Sequence, residues 1–188
     1  LLGPEDYLAI AELGKRVGMR PQAACVLCEW DTENVCAGCP TSTQAGEQWD
    51  NSSRVGPWLY ELAEAFREHA DGFELALHGV GHEHWEDGVR TRAEWYAAQE
   101  GRRWDWGTLL GYLSTFIAIL DQHGLGPADG HRFPVSAVPC AFNYYFDDAD
   151  RESTGALLSH AGVEQVSTPF AGGFSRHSAL DAPEALSL

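Results

Sequence analysis

Basic side chains are scarce in this sequence. Its 12 Lys and Arg stand against 28 Asp and Glu, for a net charge of −16 and a pI near 4.7. Nucleic acids and anionic membrane surfaces both require a basic patch, so this balance argues against either as a partner. No apolar run approaches the roughly 18 residues needed to cross a bilayer. Methionine occurs once, and there is no internal repeat and no low-complexity tract. The first residues, Leu1-Leu2-Gly3-Pro4, include neither a Met nor the basic segment of a secretory signal. The chain reads as a piece of a longer one. Hydrophobic residues are nonetheless 44% of the 188 and aromatics 11%, which is ample for one folded domain with a real core. The acids are spread over helices and loops as solvating surface, and their field suits neutral or cationic substrates better than anionic ones.

Helix and strand signals alternate. Apolar residues at helical spacing, with Pro4 at the entry and Gly18 at the exit, predict a helix over 4–16. A short apolar run at 22–28 reads as a strand, and it turns polar abruptly at Glu29-Trp30-Asp31. Residues 37–56, rich in Gly, Ser, Thr, Pro and Asn, read as one long loop of the kind that is often functional. A helix follows over 57–69, with Trp58, Leu59, Leu62, Ala65 and Phe66 on one stripe. A strand at 73–77 runs into His78. After an insertion at 86–108 come an apolar helix at 109–122, a strand at 130–135, a helix at 152–161 and a strand at 162–167. This alternation predicts an α/β fold with a largely parallel sheet or barrel, whose ligands gather at the carboxyl ends of the strands.

Three imidazoles fall within seven residues in His78-Gly79-Val80-Gly81-His82-Glu83-His84, directly after a strand. Imidazole is the commonest ligand of zinc-like ions, and the glycines let the backbone turn so that His78 and His82 face one ion. His84 reads either as a further ligand or as a surface or supporting residue. Of the carboxylates after the first strand, Asp31 is the preferred candidate over Glu29 and Glu33, because it stands where strand gives way to loop; its other reading is a turn or cap. Cys25-x-x-Cys28 and Cys36-x-x-Cys39 have the spacing of a structural zinc site. In a strand, however, Cys25 and Cys28 face opposite sides, so a disulfide of Cys39 with Cys28 or Cys36, or plain buried thiols with Cys140 among them, stay open. Trp30, Trp49 and Trp85 flank strand ends, where they serve either as sugar-stacking walls or as packing. The stretch from Phe142 to Phe146 is a candidate pocket lining, and Asp147-Asp148 reads as a helix cap.

The string Leu77-His78-Gly79-Val80-Gly81-His82 resembles the His-x-x-x-His metal motif of the NodB-type polysaccharide deacetylases. His131-Arg132-Phe133-Pro134 is similar to that family's Arg-x-Pro motif, and the order of elements agrees over roughly residues 4–170. The resemblance implies a single catalytic domain over 1–188, built as a distorted or incomplete (β/α) barrel that lacks its first strand and its C-terminal end in this piece. It implies a divalent metal, usually zinc, on His78, His82 and an aspartate, with a second aspartate as general base. Those aspartates normally end the family's first strand, which would precede Leu1; otherwise Asp31 supplies the carboxylate. Arg132 would orient the catalytic carboxylate, and Trp30, Trp85, Phe133 and Asn143 would face the substrate. The family's late Leu-His motif has no clear counterpart, His177 being the only late histidine near it. The implied activity is hydrolytic removal of an acetyl group from an N-acetylated sugar or glycosylated metabolite. Its rivals are cleavage of another C–N bond on the same scaffold, an inactive carbohydrate-binding relative, and a zinc-stabilised module on the four N-terminal cysteines.

Overall fold

The structure is a computed structural model that describes residues 2–37, 39–41, 56–91, 94–97, 101–130, 134–147 and 149–167. Helix α1 (Pro4–Val17) begins with a proline that has no N–H to leave unpaired, carries Glu5 and Asp6 in its first turn, and ends at Gly18, whose φ of 68° is left-handed. It turns Ala11 and Gly14 inward and leaves Leu13 and Val17 on the outside. A Cβ at position 14 would stand 2.7 Å from the Met19 carbonyl oxygen; glycine therefore lets the chain fold back under the helix into β1 (Gln22–Val26).

β1 is shorter than the predicted 22–28, because Cys28–Trp30 close into a 3-10 turn. Pairing nevertheless continues past the strand, with Leu27 and Cys28 donating their N–H groups to the carbonyls of Gly79 and Val80 at 3.3 and 2.9 Å. Helix α2 (Pro57–Glu68) buries Leu59, Leu62, Ala63, Ala65 and Phe66. It delivers the chain to β2 (Glu74–Gly79), which lies parallel to β1 with Ala24 opposite Ala76. Across the start of the expected insertion is a hairpin that periodicity did not show: β3 (His84–Glu86) and β4 (Val89–Thr91). Its turn is Asp87-Gly88, with φ of 51° and 73°, the left-handed pair that tight hairpins favour.

Helix α3 (Trp106–Gln122) starts three residues before its predicted position, because Asp105 caps it by accepting the Thr108 N–H at 3.0 Å. The strand expected at 130–135 is displaced to β5 (Ser136–Ala137); residues 131–133 lie outside the described residues. Ser153 caps α4 (Thr154–His160), and β6 (Gln165–Val166) follows. The four-stranded sheet runs β1-β2-β5-β6, every pair parallel and every strand beside the next of its sheet in chain order. Ser167, just past β6, donates its hydroxyl to Gln22 Oε1 of β1 at 2.9 Å, a side-chain contact between the two edge strands of this sheet. The fold is therefore mixed α/β with a parallel sheet. Parallel winding brings the exits of β1, β2 and β5 to one rim.

Candidate metal centre

The rim is built on the exit of β2. His78 is the penultimate residue of that strand and is half-buried. Its Nδ1 lies 2.5 Å from the carbonyl oxygen of Val138, just past β5. A carbonyl only accepts, so Nδ1 carries the proton and Nε2 keeps its lone pair, the arrangement that orients metal-binding histidines. The chain then turns sharply through Val80 and Gly81, and His82 takes a left-handed φ of 67°. The turn brings the two rings to 5.1 Å between centroids, inclined by 56°. Burial, together with the charge of the neighbouring His82, holds the His78 pKa below its ordinary value, with partial compensation from the Val138 carbonyl. The imidazole is thus neutral, as ligation requires.

Cys140 supplies a third donor. It lies on the exit of β5, fully buried, and its thiol donates to the His78 carbonyl at 3.1 Å. One donor atom each from His78, His82 and Cys140 lie within 4.8 Å of one another, and this set could hold a metal ion. Two imidazole nitrogens and a sulfur suit a borderline cation such as zinc. No described Asp or Glu joins the cluster.

Glu94 holds the turn from behind. Its carboxylate is fully buried and accepts three successive backbone N–H groups, from Val80 at 2.9 Å, Gly81 at 2.7 Å and His82 at 2.9 Å, together with the Thr41 hydroxyl. Burial raises its pKa to about 7, although the Thr41 hydroxyl and these N–H groups favour the charged form. Two tryptophans fix the same layer: Trp95 Nε1 donates to the His78 carbonyl and Trp104 Nε1 to the Glu94 carbonyl, both at 2.8 Å. Neither Glu94 nor Cys140 stood out in the sequence as a site residue. Cys140 was legible only in hindsight, as a strand-exit residue like His78; Glu94, inside an aperiodic insertion, carried no signal.

The sequence candidates fall in different places. Trp30 is not an exposed wall: it is buried, with its indole 5.9 Å from the Phe66 ring and edge-on to His123. Asp31 is also buried and occupied. It accepts the Cys36 N–H at 2.8 Å, the Gln122 side-chain amide at 2.9 Å and the Glu33 N–H at 3.3 Å. Burial alone would raise its pKa, but these bonds and the Cys36 thiol outweigh it and hold the carboxyl below the usual range. It caps the 31–36 loop, which was its alternative reading. Trp85 is half-buried on β3, and Asn143 is half-buried and closes the Cys140 turn by donating its N–H to the Cys140 carbonyl at 3.0 Å. His84 is turned into the core, stacked on Trp104 at 3.7 Å, with Nδ1 bonded to the Tyr112 hydroxyl. Arg132 and Phe133 lie outside the described residues, as do Trp49, Asp148, His177 and most of the 37–56 loop.

All five cysteines are free thiols, and among the described residues the N-terminal set forms no three-donor group. Cys25 faces Tyr7, whose hydroxyl is 3.9 Å away, as its strand position requires. Two surface depressions miss the donors. One, of about 270 Å³, is at the amino ends of β2 and β5, beside Arg20, Glu74 and Val135. The other, of about 530 Å³, lies between Val35, Pro40 and the first turns of α3. The latter adjoins the hairpin, because Pro40 accepts the Trp85 N–H and Tyr112 meets His84. Searches of family models, curated proteins and solved structures find no match to this chain.

Proposed function

We propose that this chain is a metal-dependent amide hydrolase of the NodB deacetylase type, which removes an acetyl group from an N-acetylated sugar or glycosylated metabolite. The observation that carries the reading is the pair of converging imidazoles at the exit of β2, 5.1 Å apart, with His78 oriented by Val138. The chain-order winding of parallel strands, with Ser167 reaching Gln22, supports an incomplete (β/α) barrel as its scaffold.

A zinc-class ion held by His78 and His82 would supply an electrophile for the acyl carbonyl and an acidified water. The protein's own part is to keep those rings fixed. Val138 sets the tautomer of His78, and Glu94 pins the backbone of His82. Trp85, whose backbone N–H is held by Pro40 at the edge of the broader depression, keeps the role of an aromatic wall, and Asn143 offers an amide at the Cys140 turn. Arg132 keeps the role of orienting a carboxylate. Asp31, with its oxygens occupied, is a loop anchor in this reading, and the general base comes from outside the described residues.

The absence of a described carboxylate from the donor cluster favours one second reading, a metal-bearing, carbohydrate-binding relative without a general base. Amine release from N-acetylated sugars by the zinc-loaded protein separates the two. Release by the wild type that is lost in His82→Ala supports the hydrolase. Equal, background release from both, with sugar binding retained, supports the second reading.

A further inference from the structure

We propose that Cys140 is a metal ligand, its thiolate completing a centre of two imidazoles and one sulfur for a zinc-class cation. The inference rests on the reading of this rim as a metal centre and adds the third donor, where the family resemblance implies an aspartate.

Four features of the structure place the sulfur there. The donor atoms of Cys140, His78 and His82 come from the exits of two adjacent parallel strands and lie within 4.8 Å of one another. Space for the sulfur exists because residue 79 has no side chain: a Cβ on Gly79 would stand 2.8 Å from Cys140 Sγ. The backbone around Cys140 is held in an unfavourable form, since Ala141 and Phe142 both take left-handed φ values, 52° and 55°. Two consecutive non-glycine residues in that region mark a constraint that aims a side chain, the kind of strain that clusters at functional sites. Finally, the sulfur can give up its proton without leaving a bare acceptor. Its thiol donates to the His78 carbonyl, and that carbonyl also accepts the Trp95 Nε1–H at 2.8 Å.

The step balances simply. A dication forms a bond to Sγ and the S–H bond breaks; the proton passes to solvent, and no electrons are transferred. Two neutral imidazoles and one thiolate leave the loaded centre with a single positive charge. Such a set prefers zinc, cobalt or other borderline ions to magnesium and calcium, which take oxygen donors. With Cys140 fully buried and both histidines half-buried, entry is from the imidazole side.

Cobalt(II) titration of the metal-free full chain tests this. The expected result is one cobalt per chain, with a near-ultraviolet sulfur-to-cobalt charge-transfer band. The band disappears in Cys140→Ser but persists in Cys36→Ser and Cys39→Ser. Zinc affinity in Cys140→Ser falls by at least about 100-fold, since even residues behind the ligands cost 10–100-fold. X-ray absorption on the zinc-loaded wild type needs no variant, so it decides the matter even if Cys140→Ser does not fold; one sulfur at about 2.3 Å is expected. Cobalt bound by the wild type with no sulfur band, and zinc with nitrogen and oxygen neighbours only, would overturn Cys140 as ligand and leave the histidine centre standing. A folded wild type that binds neither metal would overturn the metal centre itself.

Discussion

Gly79 and Glu94 approach so closely that a Cβ at position 79 would stand 2.6 Å from Glu94 Oε1. The same Cβ would meet Cys140 Sγ on its other flank, at 2.8 Å. Neither neighbour is free to retreat, because the carboxylate is tied to three N–H groups and the cysteine to a strained turn. Gly79→Ala therefore overpacks the rim and destabilises the fold by about 1–3 kcal/mol. Urea denaturation measures this, and wild-type stability in that variant contradicts the packing described.

Glu94 is the polar hub beneath the histidine turn. Glu94→Ala strands the buried N–H of Val80 and leaves that of Gly81 only its longer bond to the Thr41 hydroxyl at 3.3 Å, at a cost of about 1–3 kcal/mol for an unsatisfied group. Glu94→Gln retains an acceptor oxygen but places an amide N–H₂ where an N–H already points, so it loses less than Ala. The expected order of midpoints in chemical denaturation is wild type, then Gln, then Ala. An alanine variant as stable as the wild type removes Glu94 from this role.

Asp31 confers an acid-dependent stability. Its folded pKa is depressed below the unfolded value, about 3.9, because the Cys36 and Gln122 bonds outweigh burial. The contribution is therefore fully present above the unfolded pKa and is lost as pH falls through the folded one. Asp31→Asn should be less stable than the wild type at neutral pH, with the gap closing in strong acid. Denaturation midpoints followed from pH 7 downward check the sign, and a gap that widens in acid contradicts it. Metal content should be the same in both proteins.

The two tryptophans offered as sugar walls should separate by experiment. Trp30 is enclosed by Phe66 and His123, so Trp30→Ala costs about 3–5 kcal/mol of stability. Trp85 is half-buried on β3, so Trp85→Ala costs less than that and, under the proposed function, raises KM more than it lowers kcat. Thermal melts together with steady-state kinetics distinguish the pair; equal stability losses contradict the assignment.

The amphipathic helices were plain in the sequence, because α1 and α2 each bury one stripe and carry proline at the start. The histidine turn was legible too: His78 and His82 are close in sequence, and the glycines between them announce a sharp bend. Asp31 was legible only as a polar residue after a strand, a description that fits a catalytic group and a loop cap equally. What sets its place is Gln122, 91 positions away, and no local pattern carries such a contact. The hairpin β3–β4 was hidden because its strands, His84–Glu86 and Val89–Thr91, are too short for an alternation to register. β5 was misplaced for the same reason: its two residues, Ser136 and Ala137, are defined by neighbours on both sides and not by their own periodicity. Cys140 and Glu94 reach the rim through tertiary contacts alone.

Metal stoichiometry tests the central claim most directly. The wild-type chain, loaded with zinc and freed of excess, is compared with His78→Ala and His82→Ala by elemental analysis, with circular dichroism confirming that each is folded. The account predicts one zinc per wild-type chain and almost none in either variant. One zinc retained by both folded variants, or none in the wild type, would contradict it.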